Sequence, residues 1–353
     1  MPRGRPGGAA RGRVRTSRRA RGCAGGAVLV LAALAVAITG VVLALNALVP
    51  RSASGTCLVA LPDAGSVRLD ADQADNAALF AAVAAHRELP ARAVTIAIAT
   101  ALQESKMRNI DYGDRDSVGL FQQRPSQGWG TVAQIMDPVY STNAFYDVLV
   151  TVQGWEGQEI TDAAQRVQRS AFPNAYAQHE SRGRAFASAL SGYSTGALTC
   201  HLDPVSDDAS AAGGGASGGA ASGAVPAGAA AASSAGPIAG ATPPARLAVI
   251  QQRLDRDFVQ IGAAVVPPGV LQVDAASLPA GLDPEPQRRA WAVAQWAVAT
   301  ASATGARVVG ADGQVWVRDD GDDAAWLPVE RAGLPAGLHD AIAGAAPGIV
   351  IIG

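Results

Sequence analysis

Lysine is almost missing from this sequence. Lys106 is the only one among 28 basic residues, and no phosphate-binding loop is present. No dinucleotide fingerprint and no nucleophile elbow stands between a predicted strand and helix either, so those chemistries have no motif here. The four histidines, His86, His179, His201 and His339, lie apart, without the His/Cys/Asp spacing of a zinc site. The aspartate-rich loop NIDYGDRDSVG also fails as an EF-hand. Counted from Asp111, Asp116 stands where glycine is required; counted from Asp114, Pro125 stands where a bidentate glutamate is required. The run DDGDD at 319–323 reads as a solvated turn. The expectation is therefore no cofactor and no metal.

Charge is missing as well, in two places. No acidic residue occurs before position 50, and Arg3, Arg5, Arg11, Arg13, Arg15, Arg18, Arg19 and Arg21 make a basic head over 1–26. Setting those eight aside leaves 20 basic against 30 acidic residues. An acidic remainder is the opposite of a nucleic-acid binder. Between Gly22 and Pro50 no charged residue occurs at all. The apolar run at 27–49, AVLVLAALAVAITGVVLALNALV, would rise ~34 Å as a helix, enough for a hydrocarbon core of about 30 Å. Arginines on its N-terminal side favour a cytoplasmic N-terminus. The expectation is a single-pass cell membrane protein with residues 51–353 extracytoplasmic. The alternative is a cleaved signal peptide, with Ser52-Ala53-Ser54 as a weak cleavage site.

Cysteine is scarce. Cys23 has no lipobox around it, which leaves Cys57 and Cys200 bracketing the region between them. In an oxidising compartment such a pair is expected to form a disulfide.

What is abundant is alanine, and its pattern divides the chain. Residues 57–202 read as a mainly α domain, with helices expected over roughly 74–87, 91–107, 131–136, 139–152, 161–170 and 178–191. Asp72 or Asp75 is the expected cap of the first. The second, ARAVTIAIATALQESKM, is apolar on nearly every face until Gln103, the mark of a buried central helix. Residues 203–245 are nearly all Ala, Gly, Ser and Pro and read as a flexible linker. Residues 246–353 read as a small α+β domain. There Leu247, Ile250, Leu254, Phe258 and Ile261 repeat at helical spacing, Asp312-Gly313 signals a hairpin, and GIVIIG a strand. Its Trp291, Trp296, Trp316 and Trp326 are either a binding face or core.

Glu104 ends the most apolar helix outside 27–49, and a carboxyl on an apolar wall loses hydration of its charged form, so its pKa rises. A general acid needs that shift; a solvated last-turn glutamate is the plainer alternative. Beyond it come Asp111, Asp114 and Asp116, then Gly119-Leu120-Phe121-Gln122. Glu104-Ser105 with that Gly-Leu-Phe-Gln run resembles the lytic transglycosylase and goose-type lysozyme superfamily. The stretch QESKMRNIDYGDRDSVGLFQQRPSQGWG, with AAQRVQRSAFPNAYAQHE further on, is similar to a transglycosylase-like domain of actinobacterial exported proteins. The resemblance covers roughly 90–190 and extends to neither the basic head nor the C-terminal domain.

The resemblance implies a lysozyme-like fold and cleavage of peptidoglycan glycan strands, with Glu104 giving its proton to the departing sugar oxygen. In a lytic transglycosylase the same carboxylate then takes the proton of the muramoyl 6-hydroxyl, leaving a 1,6-anhydro product. A hydrolase would use a second carboxylate, for which Asp111, Asp114 and Asp116 are candidates, although such aspartates commonly form loop turns. Ser105, Gly119 and Gln122 fall in the saccharide cleft by resemblance, and Gln123 extends the polar row. Tyr112 and Trp129 are candidates for stacking on sugar faces. The superfamily's Ala-Tyr-Asn segment corresponds to the stretch from Ser170 to Tyr176 with Phe172 at the tyrosine's position, so the tyrosine hydroxyl is absent unless Tyr176 supplies it. The partners expected are peptidoglycan, the membrane through 27–49, and an envelope protein for the C-terminal domain. The rival is a non-catalytic peptidoglycan-binding or scaffolding protein.

Overall fold

Gly55 and the residues after it are the first that the computed structural model describes; it covers 55–63, 65–169, 174–205, 243–279, 285–318 and 324–353. The apolar run at 27–49, the basic head, Cys23, Phe172 and most of the Ala/Gly/Ser/Pro stretch lie outside the described residues. No helix among the described residues is long and apolar enough to cross a membrane.

Residues 55–60 and 66–70, just before the first helix, are paired strands. Strands β1 (Gly55–Ala60) and β2 (Ser66–Asp70) form an antiparallel hairpin, and β3 (Leu198–Leu202) joins β1 on its other side. Cys57 stands directly opposite Cys200 in that ladder and the two are bonded. Strand pairing across such a separation leaves no local mark beyond the cysteines.

Helix α1 (Ala71–His86) follows at once, three residues earlier than expected. Asp70 is its N-cap, with its amide donating to the Gln73 side chain at 2.9 Å. That frees Asp72 to receive Arg108 at 2.8 Å, tying the start of α1 to the loop beyond the next helix. Helix α2 (Ala91–Ser105) is buried along most of its length, as its apolar pattern predicts, and stops at Ser105 because Lys106 and Met107 turn left-handed. Helix α3 (Val132–Ile135) packs on α4 (Pro138–Leu149), and α4, α5 (Ile160–Gln168) and α6 (Glu180–Leu190) pack around α2. The closest approach is by α6. At Gly183 a Cβ would lie 3.0 Å from the Thr95 carbonyl, a tight contact, so glycine favours the close approach of the two backbones.

The C-terminal segment has helix α7 (Pro243–Phe258), α8 (Pro286–Ala299), α9 (Ala301–Thr304) and α10 (Ala336–Ala343). Its strands are β4 (Gly262–Val266), β5 (Val270–Asp274), β6 (Val308–Ala311), β7 (Gln314–Val317), β8 (Leu327–Pro328) and β9 (Ile349–Ile352). They make one antiparallel sheet in the order β4-β5-β9-β6-β7-β8. The turn between β6 and β7 is Asp312-Gly313, both at positive φ, the backbone that a tight two-residue hairpin requires.

Composition divides the chain at 203–245, but packing does not. The described residues from 55 onward make one compact unit, and one hydrophobic core runs from Phe80, Ile96 and Phe186 to Leu254, Trp291 and Val350, with a smaller cluster around Val315 and Ile342 apart from it. The buried Gln295 of α8 shows how the join is made. Its Oε1 accepts from the Leu198 amide at 2.8 Å, and its Nε2 donates to the carbonyls of Ala189 (2.6 Å) and Ser194 (3.0 Å). The tryptophans serve the same junction. Trp316 donates to Thr199 Oγ1 at 3.1 Å and Trp326 to the Leu198 carbonyl at 2.8 Å. Trp291, Trp296 and Trp316 are buried and Trp326 partly so, which settles them as core rather than as an exposed binding face.

A second junction is ionic. Arg253 of α7 lies 3.0 Å from Asp75 of α1 and 2.8 Å from the fully buried Asp257. Asp257 is further held by Arg256 and by the Trp296 indole.

Candidate active site

The C-terminal turn of α2 brings Glu104 out of the core and leaves it half-buried. Tyr176, itself 1% exposed, donates its phenolic hydroxyl to Glu104 Oε1 at 2.8 Å. The Gln168 carboxamide, from the last residue of α5, lies near enough to favour the charged form of this carboxyl as well. Burial pushes the Glu104 carboxyl above its ordinary range, and the Tyr176 and Gln168 donors oppose that rise. No cation is among the causes of the shift. A carboxyl held this way keeps its proton more readily than a solvated one and still has donors waiting for its anionic form.

The Gly-Leu-Phe-Gln run is a tight turn pinned beside this acid. Val118 and Gln123 exchange backbone hydrogen bonds at 3.0 Å on either side of it. Gly119 has φ +79°, and a Cβ there would come 2.9 Å from the Ile135 carbonyl, so glycine is needed on both counts. Leu120 and Phe121 point inward, where the Phe121 ring stacks on Phe145 with centroids 4.4 Å apart. Ser105 donates to the Leu120 carbonyl at 2.7 Å, and Gln168 donates to the Phe121 carbonyl at 2.7 Å. The residue after the acid and the residue beside the acid thus hold two successive carbonyls of the same turn.

Several residues expected in the cleft have other duties. Ser105 is buried, and its hydroxyl is used on the backbone of Leu120 and Ala101. Gln123 is 1% exposed and donates to the Ser141 carbonyl at 3.1 Å, so it belongs to the core under α4 rather than to a polar row. Gln122 donates to the Tyr112 carbonyl at 3.2 Å and accepts from the Ser117 hydroxyl at 3.1 Å, shaping the loop that carries the aspartates.

The aspartates divide likewise. Asp116 receives Arg124 at 2.8 Å, the Ser126 amide at 2.8 Å and the Ser126 hydroxyl at 3.0 Å, and these donors, the Ser126 amide first, hold its carboxyl well below the usual range. It is a loop clamp, as the turn-forming reading expects. Asp114 has a side chain 95% exposed, with Arg115 at 3.9 Å. Asp111 is exposed too. Tyr112 is 69% exposed, presenting its ring to solvent, and Trp129 is half-buried against the core.

Two features were not anticipated. Gln168 lies inside the AAQRVQRSAFPNAYAQHE stretch, but one glutamine among several carries no signal until the fold sets it beside Glu104. A small polar cluster also borders the acid's neighbour: Gln103 Oε1 accepts from Gln178 Nε2 at 3.0 Å and stands 3.2 Å from His179 Nε2. Burial, aided by Arg182, lowers the His179 pKa, so the ring stays neutral at physiological pH. No group of three metal-ligating side chains exists among the described residues.

Against known proteins, no family model matches this chain and no curated protein does.

Proposed function

We propose that this chain cleaves peptidoglycan glycan strands as a lytic transglycosylase, with Glu104 as its single acid/base, and that residues 27–49 anchor it at the membrane facing the wall. The observation that carries the reading is the environment of Glu104: one half-buried carboxyl raised by burial, met by the Tyr176 hydroxyl and with a neutral amide, Gln168, nearby. Protonated Glu104 gives its proton to the departing O4 as the C1–O4 bond breaks and positive charge develops at C1. The resulting carboxylate, steadied by the phenol and the amide, then takes the proton of the muramoyl 6-hydroxyl as O6 closes on C1. One carboxyl serves both steps and no water is consumed.

The alternatives at the second carboxylate support the same choice. Asp116 is occupied by Arg124 and Ser126, which leaves the clamp poorly suited to take a proton from water. The Tyr176 hydroxyl on Glu104 answers the loss of a tyrosine at position 172, since a phenol reaches the acid from four residues further on.

The test is clearing of a peptidoglycan suspension by the full-length chain and by Glu104→Gln. The parent should clear it, and the variant should be slower by about 10²–10⁴-fold, the usual worth of a general acid. A folded parent that sediments with the wall yet releases nothing would make the protein a glycan-binding module instead.

A further inference from the structure

We propose that Gln103 is a substrate-binding residue: its carboxamide nitrogen, held outward beside Glu104, donates to the acetamido carbonyl of an N-acetylated sugar. This rests on the reading of the site as one for peptidoglycan glycan strands.

Two elements place the amide. Gln103 and Glu104 are successive residues in the last turn of α2, and both meet the stretch 176–179, whose last three residues form a 3-10 turn. Tyr176 donates to Glu104 Oε1 at 2.8 Å, while Gln178 Nε2 and His179 Nε2 stand 3.0 and 3.2 Å from Gln103 Oε1. One short stretch thus fixes the acid and the amide next to it.

The orientation of that amide follows from a chain of bonds that starts on the backbone. The Ala175 carbonyl can only accept, so the Gln178 atom 3.2 Å from it is the nitrogen. The same nitrogen faces Gln103, so Gln103 turns its oxygen inward. That oxygen has no proton to offer, which makes His179 Nε2 the donor between them. With both donors on Oε1, the amide is held in one orientation, and its Nε2 has no hydrogen-bond partner among the described residues. Gln103 is exposed, so two N–H donors in a fixed direction are presented to solvent at the edge of the acid.

Peptidoglycan sugars carry an acetamido group at C2, one bond from the C1 at which Glu104 would act. Its carbonyl is a neutral acceptor and meets a neutral donor here; a cationic donor at this place would hold Glu104 as its carboxylate. Ordering a free side chain on binding costs part of the hydrogen bond it makes, and an amide already fixed by Gln178 and His179 avoids much of that cost. A C2 hydroxyl ends two atoms short of the acetamido oxygen, so this contact separates N-acetylated glycans from plain ones.

The experiment is calorimetric titration of the full-length chain with tetra-N-acetylchitotetraose and with cellotetraose, which has the same β-1,4 backbone and a hydroxyl in place of each acetamido group. The parent should bind the N-acetylated sugar about ten-fold more tightly, the worth of one hydrogen bond. In Gln103→Leu that ratio should fall to about one. Gln103→Glu keeps the oxygen that Gln178 and His179 hold and removes only the outward donors; it should lose the preference likewise, and it serves if the leucine variant does not fold. A ratio unchanged in a folded Gln103 variant, or a parent without the preference, overturns the inference. Clearing of peptidoglycan is read separately. A parent that clears the wall while its variants keep the ratio refutes this contact alone, and a parent that shows the Gln103-dependent preference but clears nothing refutes the cleavage reading alone.

Discussion

Asp75 and Glu104 are both carboxyls that the fold removes from water, and burial pushes both upward, yet the two are answered differently. Opposite Asp75 stands Arg253, 3.0 Å away and backed by the buried Asp257. Opposite Glu104 stand a phenol and an amide. A guanidinium fixes the charge it faces, because it never gives up its proton. Neutral donors lower the cost of the anion without abolishing the acid. The first arrangement joins α1 to α7 and so joins two sequence segments; the second leaves a proton free to come and go. The same event, burial of a carboxyl, gives a fastener in one place and a carboxyl without a fixed counter-charge in the other, and the partner decides which.

Breaking the fastener should produce the largest effect. Arg253→Met leaves Asp75 and Asp257 facing each other across the junction without their shared cation. A loss of about 3–5 kcal/mol is expected, read from the urea midpoint, because an orphaned buried charge costs that much. At a temperature where the variant stays folded, its rate of wall clearing should equal the parent's. A rate that falls with stability intact would mean the two sites are coupled.

Removing one of the neutral donors should have a smaller and more specific effect. In Tyr176→Phe the Glu104 carboxyl loses a donor that lowers its pKa, so its pKa rises further. The alkaline limb of the pH–rate profile should move to higher pH, and the rate at the optimum should fall about ten-fold. An unmoved limb would show that the phenol packs against the acid without tuning it.

The smallest effect has the opposite sign to most substitutions. The folded pKa of Glu104 lies above its ordinary value of 4.5. The stability it contributes is therefore fully present below the unfolded pKa and is lost as pH rises through the folded pKa. At pH 7 the carboxylate is a liability to the fold, and Glu104→Gln should raise the melting temperature by about 2 °C. Below pH 4.5 that gain should vanish. Arg253→Met, by contrast, should lose stability at pH 7.

The sequence shows some of this and hides the rest for physical reasons. The apolar run of α2 ending in Glu104, the Asp312-Gly313 turn and the isolated pair Cys57 and Cys200 are local signals, and local signals survive in a string of letters. The β1–β3 pairing brings together residues far apart in the chain, and strands of five or six residues carry little periodicity. The docking of α8 on the first segment rests on Gln295, one amide in an alanine-rich helix, and three of its four hydrogen bonds depend on tertiary placement. Composition marks where a covalent segment changes character at 203–245; it cannot say that the parts on either side share a core. The site follows the same rule. Glu104 is legible because it interrupts an apolar pattern, and Gly119 because only glycine suits such a turn. Ser105, Gln122 and Gln123 are polar letters near an acid, and only burial reveals that they hold the turn together. Tyr176 was an open alternative until the fold set its hydroxyl 2.8 Å from the carboxylate.

The most direct test of Glu104 as a lone acid/base is the mass of what the wall releases. Peptidoglycan incubated with the full-length chain should yield muropeptides ending in 1,6-anhydro sugars, lighter than the hydrolytic products by one water, and Glu104→Gln should yield none. Reducing-end products from the parent would contradict the account, because they require a second group to direct water onto the sugar.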